Sequence, residues 1–369
     1  MSEPRDIVAA TRRYEAWVST RVPLVRKDVA AKHAAMRAGM FPFLRGTFYR
    51  WAERWRSVVG AASRGPRVFS VGDLHVDNFG TWRDVEGRLI WGVNDFDEAW
   101  SLPYTNDLIR LATSALVAVD ARELEVAPKH GVAVILRGYR AALAHHGRAF
   151  VFAERHNAMR EMAVHRLHDP QAYWKKLDAL PSAHPPASVA AALERALPER
   201  GLEKRFVHRL AGIGSLGRQR FLVLAEWRGG RVAREAKALR PSACALIEAA
   251  PAAKIEQATV LRRRVWTTSR AGVRCPDPYV SFSGSWLIRR LAPDCSRIPL
   301  DLLPRKRDAE RLLHAMGWEA ANVHLGSARG SAAVLEQDLR RRPKRWLYEA
   351  AMRMADDVVK DWTEWVDRG

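Results

Sequence analysis

The sequence predicts an α+β protein of two lobes, one mainly helical and one a small antiparallel sheet. Three observations carry that expectation. Apolar residues recur every three or four positions through long stretches, as in Leu312, Leu313, Met316 and Val323 and again in Trp346, Leu347, Met354, Val358, Trp362 and Trp365, which is the stripe of a helix packed on a core. From 206 to 240 the text alternates instead, RFVHRLAGIGSLGRQRFLVLAEWRGGRVAREAKAL, with WRGGRV placed as a hairpin turn between two strands. Ahead of that stretch stands LPSAHPPAS at 180–188, dense in Pro and Ser and the best linker candidate in the chain. The expected division is a helical lobe over 1–200, a β-rich lobe over 201–292 and returning helices over 293–369.

In chain order, residues 5–38 read as one charged amphipathic helix and FPFLRGTFYRWAERW (41–55) as a second, aromatic-rich one. RVFSV (67–71) reads as a short strand running into the loop GDLHVDNFG, with the strand-like LIWGV of EGRLIWGVNDFDE (86–98) as its hairpin partner. After a turn at SLPYTND, DLIRLATSALVAV (107–119) is apolar at helical spacing, and Asp107 suits a helix's first turn. ELEVAPKHGVAVILRGYRAALAHH continues the helical text. A helix around 251–266 and a strand SWLIRRL (285–291) complete the sheet unit, and two long helices close the chain.

At 369 residues and 48% hydrophobic, the chain can bury a sizeable core and is not a disordered protein. Its start, MSEPRDIVAATRRYEAW, is charged where a secretory signal needs an apolar segment, and no uncharged apolar run nears the roughly 20 residues that span a bilayer, so a soluble, cytoplasmic protein without a membrane partner is expected. Cys244, Cys275 and Cys295 are odd in number and lack CxxC spacing, against a disulfide framework or a zinc knuckle. The 61 basic and 41 acidic residues give a net charge of +20, which favours anionic partners. Nucleic acid is the weaker choice, because the basic runs at 305–307 and 340–345 lack interleaved aromatics and flank expected helices.

Two segments carry chemistry. VGDLHVDNFGTW (71–82) and NDFDEAW (94–100) set acidic residues, an Asn and a His after apolar runs. Asp73 and Asn78 are five apart, and Asp95 lies seventeen further on across a hairpin, so a tight loop and the next strand can bring all three together. A few hard oxygen ligands suit Mg²⁺, which keeps water and completes its shell with substrate phosphates, and a free carboxylate nearby can take a proton from an attacking hydroxyl. Turn and N-cap roles for the same residues stay open. The DLH triplet also opens two-metal phosphoesterase sites, but the GNH and later GH that such a site needs are missing.

The second segment is GIGSLG, where Gly212, Gly214 and Gly217 form G-x-G-x-x-G. That pattern opens a helix in dinucleotide-binding folds or bends a hairpin over phosphates. RQRFLVLAEW follows as a strand, which removes the dinucleotide reading. Lys237 stands on the next strand, placed to meet nucleotide phosphates; Glu256 in KIEQ is a possible ion-pair partner for it, and Glu248 competes.

GDLHVDN resembles the G-D-x-H-x-x-N catalytic loop of the aminoglycoside phosphotransferase and choline kinase branch of the protein kinase-like superfamily. VNDFDEA is similar to its metal-binding segment, and PYTNDLIRLA to the P-x-x-x-D-L stretch that follows. A closer resemblance is to a bacterial domain-of-unknown-function family sharing F-L-R-G (43–46), G-D-x-H-x-x-N-F-G, N-D-F-D-E, G-x-G-S-x-G, a strand lysine and an I/V-R-x-L strand, here LIRRL. These pieces span residues 41–325. The resemblance implies a bilobal protein kinase-like fold, with Asp73 as catalytic base, Asn78 and Asp95 as Mg²⁺ ligands, Gly212, Gly214, Ser215 and Gly217 as phosphate loop and Lys237 as phosphate clamp. His75 and Asp97 match positions of supporting role, and Arg45 either neutralises phosphate or makes a buried ion pair. Val71 departs from the histidine usual before G-D in the phosphotransferases, and KIEQATVLRR is a loose version of the bacterial family's glutamine-rich helix.

In an ordinary kinase the Gly-rich lobe precedes the catalytic loop, whereas here the order is reversed. A circular permutation cut just upstream of the catalytic loop accounts for this, and LLHAMGWEAANVH then becomes the helix that leads into that loop. The expected function is Mg·ATP-dependent phosphoryl transfer to an unidentified hydroxyl on a small molecule or protein. A regulatory nucleotide-binding module without catalysis, or nucleotidyl transfer on the same fold, are the alternatives.

Overall fold

The computed structural model describes residues 6–121, 124–152, 156–157, 159–161, 169–248, 265, 267, 269–295, 306–327 and 332–368. It is a mixed α+β structure in which most helices share one core and a five-stranded antiparallel sheet carries two smaller cores on its faces.

The expected first helix is two, α1 (Ile7–Ser19) and α2 (Arg26–Ala38). Pro23 and the extended Leu24 lie in the break, and α2 turns Asp28, Lys32 and Met36 inward rather than continuing the apolar stripe of α1. Asp6 caps α1, its carboxylate accepting from Ala9 N at 2.6 Å. The aromatic-rich segment likewise divides into α3 (Met40–Gly46) and α4 (Phe48–Val59), where Thr47 turns its hydroxyl back onto the Phe43 carbonyl.

The strand pairing also differs from expectation. β1 (Arg67–Ser70) pairs antiparallel with β4 (Trp100–Pro103), while β2 (Phe79–Arg83) pairs with β3 (Leu89–Val93), the LIWGV segment. FGTWR, read above as part of a loop, is therefore a strand, and β5 (Phe150–Val151) adds to the other edge of β3. The loop and metal segments consequently leave the ends of two different ribbons and meet between them.

α5 (Thr105–Asp120) is buried without a break from Thr105 to Ala118 and forms the central post of the helical core. α6 (Pro128–Ala144) crosses α10 (Lys306–His324) in very close contact: a Cβ on Gly138 would lie 1.9 Å from the His314 carbonyl oxygen, and one on Gly317 2.0 Å from that of Ile135. Only glycine allows backbones to approach so closely. α7 (Pro170–Asp178), α8 (Ala187–Arg195), β6 (Lys204–His208), β7 (Arg220–Trp227), β8 (Gly230–Ala238), α9 (Ala243–Glu248), β9 (Ser281–Ser283) and β10 (Trp286–Leu291) follow. α11 (Ala332–Arg341) and α12 (Trp346–Arg368) complete three closing helices rather than the expected two.

The sheet order is β6-β7-β8-β10-β9. Alternation along β7 splits its side chains between the faces. Phe221 and Val223 pack with Ala236 and Ile288 under Val189 and Leu193 of α8, whereas Leu222 and Leu224 pack with Val207 and Leu291 under Leu177 of α7. Burying each such aliphatic side chain stabilises by about 1.5–3 kcal/mol. The Pro- and Ser-rich segment at 180–188 lies along the edge of β6, with Ala183 N donating to Phe206 O and His208 N to Pro181 O. Among the described residues no helix is long and apolar enough to cross a membrane.

Candidate active site

The loop from Val71 to Asn78 leaves β1 and is held from beneath by Asp107, in the first turn of α5. Its carboxylate accepts from Val71 N at 2.7 Å and Gly72 N at 3.0 Å, and also from the Ser70 hydroxyl and His324 Nε2. Burial works against the charge on Asp107, but the His324, Ser70 and Val71 donors outweigh it and hold the carboxyl below its ordinary range. A position expected to serve the helix therefore serves the loop.

Asp73 points its Oδ1 at a fully buried guanidinium, accepting from Arg110 Nε at 3.0 Å and Nη2 at 2.8 Å. Arg110 also donates to the Leu44 carbonyl and lies 4.7 Å from the Trp51 ring centroid. Burial pushes the Asp73 carboxyl up to about 6, with Arg110 pulling the other way. Asn78 joins the two motif segments: its Nδ2 donates to the Asp73 and Asp95 carbonyls at 3.1 and 3.0 Å, and its Oδ1 accepts from Asp95 N at 2.9 Å.

Asp95 is the more open carboxylate, with its side chain 44% exposed. Its Oδ1 accepts from Asp97 N at 3.0 Å and its Oδ2 lies 2.7 Å from Lys237 Nζ. Lys237, buried on β8, also meets Asp97 Oδ2 at 2.6 Å, and Asp97 pairs on with Arg218 at 2.7 Å. Burial lowers the lysine's proton affinity, while Lys237 and Arg218 overcome burial at Asp97 and hold that carboxyl well below the usual range. Among the described residues the lysine is thus matched by two aspartates. Glu248 sits elsewhere, on Arg56, Arg67 and Trp100 Nε1, and Glu256 lies outside the described residues.

The remaining expected residues surround this cluster. Arg45 pairs with Asp77 at 2.7 Å, and both partly exposed side chains line the cleft. His75 is buried, its Nδ1 accepting from Asp77 N at 3.2 Å. The glycine-rich stretch connects β6 to β7 through a tight 3-10 turn at Ile213–Ser215, with φ of 73° at Gly212 and 94° at Gly217. It reaches far into the cleft: a Cβ on Gly214 would lie 3.0 Å from the Arg45 carbonyl oxygen and 3.7 Å from Asp73 Oδ2. The Ser215 hydroxyl contacts the Gly212 carbonyl at 2.9 Å and accepts from Arg220 Nη2 at 2.6 Å. Val25 N donates to Gly217 O at 2.8 Å, which ties the α1–α2 connection to the loop.

A cleft of about 690 Å³ runs between these groups. Sequence reasoning missed Arg110, Arg218 and the Glu98–Arg240 pair that flank it. Arg110 stands three residues after Asp107 in DLIRLA, one helical turn on, and that spacing was the available signal. Among the described residues no group of three or more His, Cys, Asp and Glu side chains is placed to hold a metal ion. The Asp95 carboxylate and the second lone pair of Asn78 Oδ1 form an all-oxygen donor set, which fits an Mg²⁺ that takes its other ligands from water and phosphate.

Over residues 24–168 and 204–368 the chain matches the model of a family described as "Uncharacterized protein conserved in bacteria (DUF2252)". No curated protein and no solved structure matches it.

Proposed function

The chain belongs to the DUF2252 family of uncharacterized bacterial proteins, and from that premise we propose that it is a Mg·ATP-dependent phosphotransferase with a circularly permuted, kinase-like arrangement. One observation carries the reading: Lys237 and Asp95, 142 residues apart, meet at 2.7 Å beside the loop that holds Asp73. The end of α10 supports the permutation, since His324 bonds Asp107 and the Ser327 hydroxyl accepts from Phe69 N, so this helix arrives beside the strand that leads into the loop.

The residues divide the work. Asp73 Oδ2 faces the cleft and takes the proton of the acceptor hydroxyl as its oxygen bonds to the γ-phosphorus and the bond to the departing ADP oxygen breaks. Arg110 fixes the orientation of that carboxylate and keeps it charged. Lys237 and the backbone N–H groups of the 212–217 loop, other than those of Ser215 and Leu216 that bond the Gly212 and Ile213 carbonyls, stabilise charge on the phosphates. Asp95 and Asn78 would hold Mg²⁺, which neutralises phosphate charge when bound.

One observation favours a second reading, nucleotide binding without transfer. The glycine-rich turn crowds the carboxylate from one side, since a Cβ on Gly214 would lie 3.7 Å from Asp73 Oδ2, which restricts the room for an acceptor there. Incubation with Mg·ATP, water serving as a poor acceptor, separates the readings. Transfer predicts slow release of ADP that falls about 10²–10⁴-fold in Asp73→Asn. Release of pyrophosphate instead would assign nucleotidyl transfer, and no consumption of ATP above the variant's level would remove the catalytic reading.

A further inference from the structure

The sheet face that carries Lys237 is built in an unusual way for a nucleotide site. Two residues before Lys237, Glu235 is completely buried and accepts from three guanidiniums: Arg209 Nη1 at 2.7 Å and Arg220 Nη1 at 3.1 Å on Oε1, and Arg289 Nε at 2.6 Å on Oε2. In the strand register Arg220 stands opposite Lys237 and Arg289 opposite Glu235, so all share one face, and the three arginines line the cleft. One carboxylate cannot balance three guanidiniums, and each guanidinium has five N–H donors. Charge and donors are left over for an anion. By strand rise the Glu235 position lies roughly 7 Å from Lys237, a separation that a triphosphate chain spans.

Further along the same face the surface turns apolar at Leu222, Val207 and Leu291, where a base would be expected to stack. α7 covers it, with Leu177 in that core and Tyr173 and Trp174 packed against it. Among the described residues, the cleft beyond the arginines is lined by Trp82, Tyr173, Asp277, Arg290, Leu291 and Cys295, and Arg274 already lies over the Trp82 ring, 5.2 Å from its centroid.

We infer that this site recognises its donor by the phosphate chain and not by the base: Arg209, Arg220 and Arg289 grip the phosphates remote from Lys237, so nucleoside triphosphates of any base, and tripolyphosphate with no base at all, occupy the cleft. The inference rests on the phosphotransferase reading for its choice of donor but tests a separate property. The arginine network is charge-assisted and bidentate-capable, the kind of contact that outweighs a single stacking partner.

The experiment titrates the full-length protein in Mg²⁺ with ATP, GTP, CTP, UTP, tripolyphosphate and adenosine, read by calorimetry. The expected result is four triphosphates within about threefold of one another, tripolyphosphate within about tenfold, no binding of adenosine, and an Arg289→Gln variant that weakens all phosphate ligands alike by about tenfold. ATP binding more than about thirtyfold tighter than the other triphosphates, or adenosine binding by itself, would overturn the inference and leave the kinase reading standing. Binding of none of these ligands would overturn both. Because the comparison across ligands is made on the wild-type chain, it stands whether or not Arg289→Gln folds.

Discussion

Asp73 keeps a carboxylate where burial disfavours one, and Arg110 is the reason it survives. Removing one partner of such a pair strands a buried charge, at a cost of about 3–5 kcal/mol. Lys32 is the contrasting case at the same scale. Its residue is 4% exposed and its Nζ lies 5.7 and 5.4 Å from the stacked rings of Tyr14 and Tyr49. Glu15 and Glu98 favour its charge and Arg218 and Arg240 oppose it, and burial dominates, lowering it from 10.5 to about 8. The folded state therefore binds fewer protons than the unfolded state between about pH 8 and 10.5, and stability rises with pH across that window. Lys32→Met is expected to melt higher than the wild type at pH 7, by up to about 3 kcal/mol of stability, with the gap closing by pH 10.5. A gap independent of pH in thermal melts would contradict this. Of these residues, Asp73, Asn78, Asp95 and Lys237 were legible in the sequence because their motifs encode fixed local spacings. Arg110, Arg218 and Glu235 were not, because their meaning comes from partners distant in the chain.

Helices and strands were legible as types and less so as boundaries. The apolar stripe runs through α3 and α4, so the interruption at Thr47 left no mark on periodicity, whereas α2 buries Asp28, Lys32 and Met36 and Pro23 was the available sign that α1 ends. The partner of β1 was misjudged because four- and five-residue strands carry too few alternations to rank one pairing over another. The hairpin of β7 and β8 was read correctly, since WRGGRV supplies its turn chemistry. The α6–α10 crossing shows what no pattern reveals: Gly138 and Gly317 look like helix-weakening residues but set a backbone contact. Gly138→Ala is expected to force the helices apart and cost more than about 3 kcal/mol, measured by urea denaturation. A loss below about 1 kcal/mol, the ordinary range for a surface exchange, would show that the crossing has slack.

At the scale of the whole molecule, the ion pairs of Lys237 with Asp95 and Asp97 and of Arg218 with Asp97 fasten the five-stranded sheet to the loops of the helical part. The net charge of +20 finds a local expression in the arginines that line the cleft. Lys237 and Asp95 meet although they stand 142 residues apart, because spatial adjacency depends on packing and not on chain order. The proposed phosphotransferase requires this cleft to bind ATP with a divalent cation held by Asp95. Calorimetric titration of ATP into the wild type and Asp95→Ala, each with Mg²⁺ and with EDTA, tests it most directly. Binding by the wild type is expected to weaken at least about tenfold in EDTA, with no such dependence in Asp95→Ala. Equal affinity with and without Mg²⁺ in the wild type, or no binding in either, would contradict it.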